Sequence, residues 1–371
     1  MKKILHISKF YHPYFGGIED VAYNIVKEMG GNYNQRVICF NHEKGTVRTR
    51  ENGIEVLRIN APVTISSQPL SCLYFWHLRN EIINFQPDVI HVHLPNPLVA
   101  TYLMWIPTGK AKIVLHWHSD IIGKSLLYRL YRPQECKLLE RADTIIATSP
   151  QYVELSEPLQ DFKEKIAILP NIVNEEKLQP MPGDEQEIAK IKKLYQGKRV
   201  VFSVGRHVAY KGLDMLIEAA RYLPDDCIVL IGGTGELTEQ LQHQAQAQGN
   251  KIQFIGRLSE KHMRCYLSIA DVFAFPSIDR REAFGVALAE ALYCGVPAVS
   301  FRIEGSGSMW VNQDGKTGIV VPTFDAQKYA AAIRTLLDDE ALRTQYAEGA
   351  KKWVRAHFLK EQIQMLTTIY G

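Results

Sequence analysis

Two carboxylates eight residues apart, Glu282 and Glu290 in REAFGVALAEALYCGVPAV, stand between the apolar run DVFAFPS (Asp271 to Ser277) and the strand-like PAVSF. The residues Ala283, Gly285, Ala287 and Ala289 between them are small. Eight residues of helix rise about 12 Å, the reach from the sugar to the ribose across the pyrophosphate of a nucleotide sugar. With Glu282 at a loop-to-helix junction and Glu290 inside the helix, one carboxylate meets each end of such a ligand. The amides of Phe284, Gly285 and Val286 then form a helix N-terminus, whose N–H groups lack partners and favour phosphate. Two glutamates on a surface helix are also commonly plain solvated side chains, so the motif has to be weighed with its neighbours.

Other loops carry residues of matching chemistry. After RVVFSV comes Gly205-Arg206-His207-Val208-Ala209-Tyr210-Lys211-Gly212, two cations between a strand and the helix LDMLIEAARYL. An anion such as phosphate suits the pair; the plainer alternative is a solvated loop. After CIVLI comes Gly232-Gly233-Thr234-Gly235-Glu236, where glycine permits either close approach to a ligand or a tight turn. Gly16 and Gly17 precede an amphipathic pattern and leave the same choice. The chain holds no G-x-G-x-x-G after its first strand and no G-x-x-x-x-G-K-[ST], which disfavours nicotinamide, flavin and P-loop enzymes. KIVLHWHSD places His116 and His118 two apart with Asp120 behind, and DVIHVHLP repeats the spacing with His91 and His93. Residues two apart on a strand share a face, so these imidazoles invite a metal. No acidic or thiol ligand at fixed spacing closes such a site, so no metal is expected, and a histidine at a cleft rim is the better reading.

These residues need strand ends and helix starts to hold them. Short apolar runs alternate with longer helical patterns, the signature of a parallel sheet covered on both faces. The strands are expected at KILHIS, RVICF, IEVLRI, DVIHVH, KIVLHWH, TIIATS and KIAILPN, then at RVVFSVG, CIVLIGG, KIQFIG, DVFAFPS, PAVSF and TGIVVP. The polar stretch with Pro180 and Pro182 between the two sets leads into a helix opening a second domain. At 371 residues the chain exceeds what one core supports, and two doubly wound α/β domains follow. Ligands bind such sheets at the carboxyl ends of their strands.

Composition is that of a globular protein, with 46% hydrophobic and 22% charged residues. A net charge of +3 without a basic, aromatic-interleaved run argues against nucleic acid as a partner. Cys39, Cys72, Cys136, Cys227, Cys265 and Cys294 are widely spaced and read as reduced thiols, and no apolar run reaches the length of a membrane span. A cytoplasmic location is expected, with peripheral contact to the inner face of the cytoplasmic membrane compatible with it.

Together the Gly16-Gly17 loop, His118, PNIVN (Pro170 to Asn174), G-R-x4-K-G at Gly205 to Gly212, GGTGEL and E-A-F-G-x4-E ending at Glu290 resemble the retaining glycosyltransferases of carbohydrate-active family four. The resemblance runs over nearly the whole chain. It implies the GT-B architecture: two facing Rossmann-like domains with an inter-domain cleft, 1–175 on the acceptor side and 176–355 binding the donor, with a C-terminal helix at 356–371 packing back on the first. It further implies that Arg206 and Lys211 hold the donor diphosphate and that Glu282 bonds the transferred sugar. Phe284, Gly285 and Val286 would support sugar and phosphate through their amides, and Glu290 the ribose. Arg257 and Leu258 would contact the base, His118 would face the sugar near the reacting carbon, Gly16 and Gly17 would approach the diphosphate, and Gly233 would belong to the donor-binding residues. No cofactor is implied beyond the nucleotide-sugar donor, and no metal. A front-face retaining mechanism follows, with Asp120 as a base for inversion the lesser alternative.

Where many relatives carry a glycine-rich turn and a glutamate, this chain reads GSGSMWVNQDG with Met309 and Trp310. That variant, with LHWHSDII, resembles mannosyl- and rhamnosyltransferases of surface polysaccharides, and points to GDP-mannose as donor and a saccharide or lipid-linked saccharide as acceptor. In KSLLYRLYRPQECKLLERAD, Lys124, Arg129, Arg132, Lys137 and Arg141 among leucines and tyrosines fit either an anionic membrane surface or a core-packing helix with a solvated basic face. A GT-B phosphorylase, a nucleotide-sugar epimerase and a non-catalytic binding partner of another transferase are the alternatives. Lys211 and Glu282 are read as loop and helix-start ligands outside the core, so replacing either with alanine is expected to abolish turnover while leaving the protein folded.

Overall fold

The apolar runs become strands because residues buried on both faces of a parallel sheet need no polar alternation. The computed structural model describes residues 1–14, 16–65, 68–121 and 126–371. Two units form: Met1–Asn171 with Lys360–Gly371, and Ile172–Leu359.

Among the described residues, the N-terminal unit holds an eight-stranded sheet ordered Ile166–Ile168, Thr144–Ala147, Lys112–Trp117, Val89–Leu94, Lys3–Ile7, Asn34–Phe40, Ile54–Ile59, Val47–Glu51. All neighbours pair in parallel except the last, where Val47–Glu51 runs antiparallel to Ile54–Ile59. That edge strand, VRTRE, and the short antiparallel pair of Val63–Ile65 with Gln68–Leu70 were not among the expected strands. A charged, solvated edge carries no apolar period for sequence to reveal, and its charges are what keep such an edge from pairing elsewhere. Arg48 meets Glu55 and Glu81 there, and Arg36 meets the same two carboxylates.

The C-terminal unit carries a six-stranded parallel sheet ordered Ile252–Gly256, Cys227–Gly232, Arg199–Val204, Val272–Phe275, Ala298–Phe301, Gly318–Val321. Alternate residues divide between its faces. Val201, Val229, Ile231, Val272 and Ala274 pack with Leu216, Ile217, Ile333 and Leu336 on one side. Phe202, Ile228, Leu230, Phe273 and Phe275 pack with Leu288, Leu292, Ile191 and Val354 on the other. Helices therefore cover both faces.

The unit boundaries differ from those read in the sequence. Residues 172–175 and 356–359 belong to the C-terminal unit, because the Val173 amide donates to the Phe358 carbonyl at 2.7 Å and both side chains sit in that core. The return into the N-terminal unit begins at Lys360 with a short 3-10 turn, Lys360–Gln364, before the helix Met365–Tyr370. There the Tyr370 hydroxyl bonds His91 Nδ1 at 2.6 Å and Lys2 Nζ donates to the Tyr370 carbonyl. Among the described residues, no helix is long and apolar enough to cross a membrane, and the six cysteines are unpaired.

Candidate active site

In the C-terminal sheet, successive strands are laid down outward from Arg199–Val204 on one side and from Val272–Phe275 on the other, so these neighbours mark the switch point of the topology. The loops leaving them lead to helices on opposite faces, Leu213–Ala219 and Val286–Tyr293, which opens a crevice at the strand ends. Lys211 comes from one loop and Glu282 from the other, and the Lys211 ammonium pairs with Glu282 Oε2 across that point. Ser277 Oγ donates to the same oxygen at 3.0 Å. Only 16% of the Lys211 side chain and 10% of the Glu282 side chain are exposed. Both therefore belong to a largely buried charge pair rather than to solvated loop ends, so replacing either alone costs stability as well as turnover.

Further cations gather beside this pair. The Lys211 ammonium lies 5.6 Å from the Tyr210 ring and 5.4 Å from that of Phe275. The Arg281 guanidinium stands 5.3 Å over the same Tyr210 ring, and Arg206, exposed, donates to the Tyr210 hydroxyl at 3.4 Å. Three positive groups thus surround one phenol, the arrangement that binds a multiply charged anion. Sequence reading found Arg206 and Lys211 but missed Tyr210, Ser277 and Arg281. The last sits directly before Glu282 and could have been noticed for that reason.

Glycine joins the loops. A Cβ at Gly212, where φ is +60°, would stand 2.2 Å from the Pro276 carbonyl oxygen, and one at Gly233, where φ is +106°, would stand 1.9 Å from that of Gly205. The geometry of Gly233 adds a third role to the two read in the sequence, close backbone contact with the neighbouring loop at Gly205. Arg257 and Leu258 follow the adjacent strand, with Leu258 packed over Gly232 and Arg257 exposed.

The helix carrying Glu290 starts later than its spacing implied. It spans Val286–Tyr293, and Gly285, at φ +94°, caps it. Only the stretch from Val286 to Glu290 is helical, a rise of about 6 Å, so the expected 12 Å of continuous helix between the glutamates is replaced by an irregular loop followed by one turn. Gly285 and Val286 stand at the helix start, whereas Phe284 precedes it with a buried ring. That ring meets Phe358 edge-on at 5.3 Å, and Phe358 meets Trp310 at 5.1 Å. Ser306 Oγ donates to the Glu282 carbonyl, and the Gly307 amide to that of Ala283 at 2.9 Å. The GSGSMW variant is therefore the floor beneath the Glu282 loop.

His118, Gly16 and Gly17 lie in the N-terminal unit. Gly16 caps the helix Gly17–Glu28 in extended backbone, and Gly17 is its first residue. His118 follows Lys112–Trp117, its amide donating to the Leu94 carbonyl at 3.0 Å. Its ring belongs to a block of four. His93 Nδ1 and His118 Nε2 are 3.0 Å apart with ring planes 11° apart and centroids 5.2 Å apart, so the rings meet edge to edge. His91 Nε2 and His116 Nδ1 pair at 3.3 Å. Along each strand the pairs stack face to face, His91 on His93 at 4.7 Å and His116 on His118 at 4.2 Å. His6 adjoins the block and bonds Gln35 at 2.8 Å.

Burial disfavours the charged imidazole. It lowers the His118 pKa to about 3 and that of His6 to about 4, and holds His91, His93 and His116 well below their ordinary value. Two triples, His6–His91–His93 and His93–His116–His118, place one nitrogen each within 4.8 Å of one another. Distance alone would admit a cation. The nitrogens facing each other across the strands are already engaged by neighbouring rings, and no carboxylate accompanies them in either group. Asp120 is an anchor, its Oδ1 accepting from Trp117 Nε1 at 2.9 Å and Ser156 Oγ at 2.6 Å.

Known proteins match this architecture end to end. The family model for glycosyl transferases group 1 matches residues 184–353, and that for Glycosyltransferase Family 4 matches 15–177. The chain is 30% identical to the D-rhamnosyltransferase WbpZ of Pseudomonas aeruginosa over 96% of its own length and 92% of that protein's. It is 28% identical to the O-antigen chain mannosyltransferase C of Escherichia coli over 99% and 98%. Its fold superimposes on sucrose-phosphate synthase from Thermosynechococcus elongatus with a TM-score of 0.82, at 19% identity, over 100% of this chain and 98% of that one. A doubly wound sheet with its charge pair at the switch point, and a second such unit bearing the histidine block, belong to a GT-B protein, and this chain is a member of the group 1, family 4 glycosyltransferases.

Proposed function

We propose that the protein transfers a hexosyl residue, with mannose from GDP-mannose as the favoured donor, to a saccharide or lipid-linked saccharide during cell-surface polysaccharide synthesis, retaining anomeric configuration. The observation that carries this reading is the Lys211–Glu282 pair at the switch point, with Arg206 and Arg281 grouped on Tyr210 beside it. A donor diphosphate suits the cations. Glu282, held by Ser277 and by the Ser306 contact to its backbone, suits the sugar hydroxyls. Glu290 takes the ribose, Arg257 and Leu258 the base, and the amides of Gly285 and Val286 support the phosphate. Gly16, Gly17 and His118 serve the same reaction from the N-terminal unit. The names of the O-antigen mannosyl and D-rhamnosyl relatives support a hexosyl donor and a polysaccharide product.

In the step itself, the bond from the anomeric carbon to the leaving phosphate oxygen breaks. The acceptor oxygen bonds the same face of that carbon, and its proton passes to the departing phosphate. Fixed cations stabilise the charge that develops there, so no metal is required.

Ligands that bind only the folded state raise its melting temperature, so a thermal-shift series with GDP, UDP, ADP, dTDP and their sugars is the first test. A shift with GDP and GDP-mannose, followed by NMR of a retained α-configured product, is expected. A response confined to UDP or dTDP replaces the donor, and no response to any nucleotide removes the transferase reading. Chelator is expected to leave turnover unchanged; activity lost and then restored by a divalent ion would return the histidine triples to consideration as a metal site.

Membrane contact at a cytoplasmic surface is part of the proposal. On the helix Leu126–Arg141, Leu126, Arg129, Leu130 and Lys137 are exposed, which suits an anionic interface. Arg132 instead pairs with the buried Glu135, and Arg141 bonds the Leu103 carbonyl, so the basic face is smaller than the sequence implied; Lys124 lies outside the described residues. Sedimentation with phosphatidylglycerol vesicles is expected to fall after Leu126→Ser/Leu130→Ser. Equal sedimentation of wild type and variant would remove this surface from the proposal.

A further inference from the structure

Among the four stacked imidazoles, the edge-to-edge contact between His93 and His118 has a chemical consequence. A neutral imidazole carries one proton and one lone pair, and burial keeps both rings neutral. One proton therefore lies between His93 Nδ1 and His118 Nε2, and one nitrogen of each ring is left outside the contact. These are His93 Nε2 and His118 Nδ1, both buried and both without a hydrogen-bond partner among the described residues. A buried nitrogen with no partner is costly to maintain. Of the two, His93 Nε2 lies within the strand Val89–Leu94, whereas His118 follows the carboxyl end of Lys112–Trp117, where ligands meet such sheets, so His118 Nδ1 is the one placed for a ligand.

We infer that His93 is a positioning residue for His118: it occupies Nε2, fixes the ring, and leaves Nδ1 as the atom through which His118 meets a hydroxyl of the transferred sugar. The inference rests on the proposed role of His118 toward the donor. Stacking of His91 on His93 and of His116 on His118 holds both rings in plane, so the contact cannot be lost by simple rotation of one ring. Either tautomer of the pair serves. With the proton on His118 Nε2, Nδ1 accepts; with it on His93 Nδ1, His118 Nδ1 donates. A sugar hydroxyl does both.

The amide of asparagine stands where Nδ1 of histidine stands, so His93→Asn keeps a partner for His118 Nε2 and His93→Leu removes it. His93→Leu is expected to lower kcat roughly 10-fold to 100-fold, by analogy with the loss when a partner that orients a metal-bound histidine is removed, with the donor KM little changed. His93→Asn is expected to restore most of that loss. Because His93 acts through His118, adding His93→Leu to His118→Ala should cost nothing further. Nitrogen-15 NMR of histidine-labelled protein should show the His118 Nε2 signal move in His93→Leu and stay near its wild-type position in His93→Asn. Wild-type kcat in a folded His93→Leu beside an impaired His118→Ala, or losses that multiply in the double variant, would overturn the inference alone. Full activity of His118→Ala would overturn the role of His118 itself and the inference with it.

Discussion

Lys211→Met and Glu282→Gln should each lower kcat/KM by about a hundredfold to a thousandfold, the loss typical when one preorganised charge is removed from a developing anion or its sugar. Neither substitution is expected to be silent in stability. Each leaves its former partner charged in a site that is mostly closed to water, at a cost of about 3 kcal/mol. The double variant Lys211→Met/Glu282→Gln removes both charges together, so it should melt closer to wild type than either single variant while remaining inactive. This opposition between recovered stability and unrecovered turnover separates a ligand-binding pair from a structural one. A single variant turning over within threefold of wild type would dismiss the pair as the donor site. Glu282→Gln is preferred to alanine because the amide still accepts from Ser277 Oγ, which keeps the loop in place.

Acidification should unfold the N-terminal unit steeply. His6, His91, His93, His116 and His118 have folded pKa values depressed by burial below the ordinary 6.5. A depressed value means that the associated stability is fully present above 6.5. It is lost as pH falls from there toward the folded values, because the unfolded chain takes up protons that the folded one refuses. Each such proton contributes about 1.4 kcal/mol per pH unit, so the five together reach a slope of about 7 kcal/mol per unit. The groups bonded to the block are the Tyr370 hydroxyl and the Gln35 amide, neither of which supplies a negative charge at these pH values to retain a proton. Melting followed from pH 7.5 to 4.5 should show a collapse near pH 5, about where that slope exhausts ordinary domain stability. Replacing one pair and its phenol partner, as His91→Leu/His116→Leu/Tyr370→Phe, should reduce the slope by about two protons' worth. A melting temperature flat from pH 7.5 to 5 would contradict the burial of these rings.

Much of this was legible in the chain because parallel strands are uniformly apolar and announce themselves. DVFAFPS and RVVFSVG were both recognisable, and the rule that ligands sit at strand ends led directly to Lys211 and Glu282. Their pairing was not legible, since it depends on which two strands are neighbours at the switch point. Their burial depends on Phe275, at the end of its strand, and Tyr210, from the loop after another, arriving together. The helix start was misplaced because the left-handed conformation of Gly285, φ +94°, interrupts a stretch whose small residues read as helical. For the histidines, spacing gave the shared face but not the register. His93 lies opposite His116, and only this alignment carries His118 far enough along to meet His93 edge to edge. The solvated strand Val47–Glu51 left no periodic trace at all.

The route of the chain also fixes an order of assembly. Residues 172–359 form one uninterrupted unit, while the N-terminal unit incorporates 360–371, whose Tyr370 contributes the hydroxyl bound to His91. During synthesis, the first unit to leave the ribosome must wait for the second to be translated in full before its own core acquires that phenol. The histidine block, central to the earlier-made sheet, is among the last parts of the molecule to be completed.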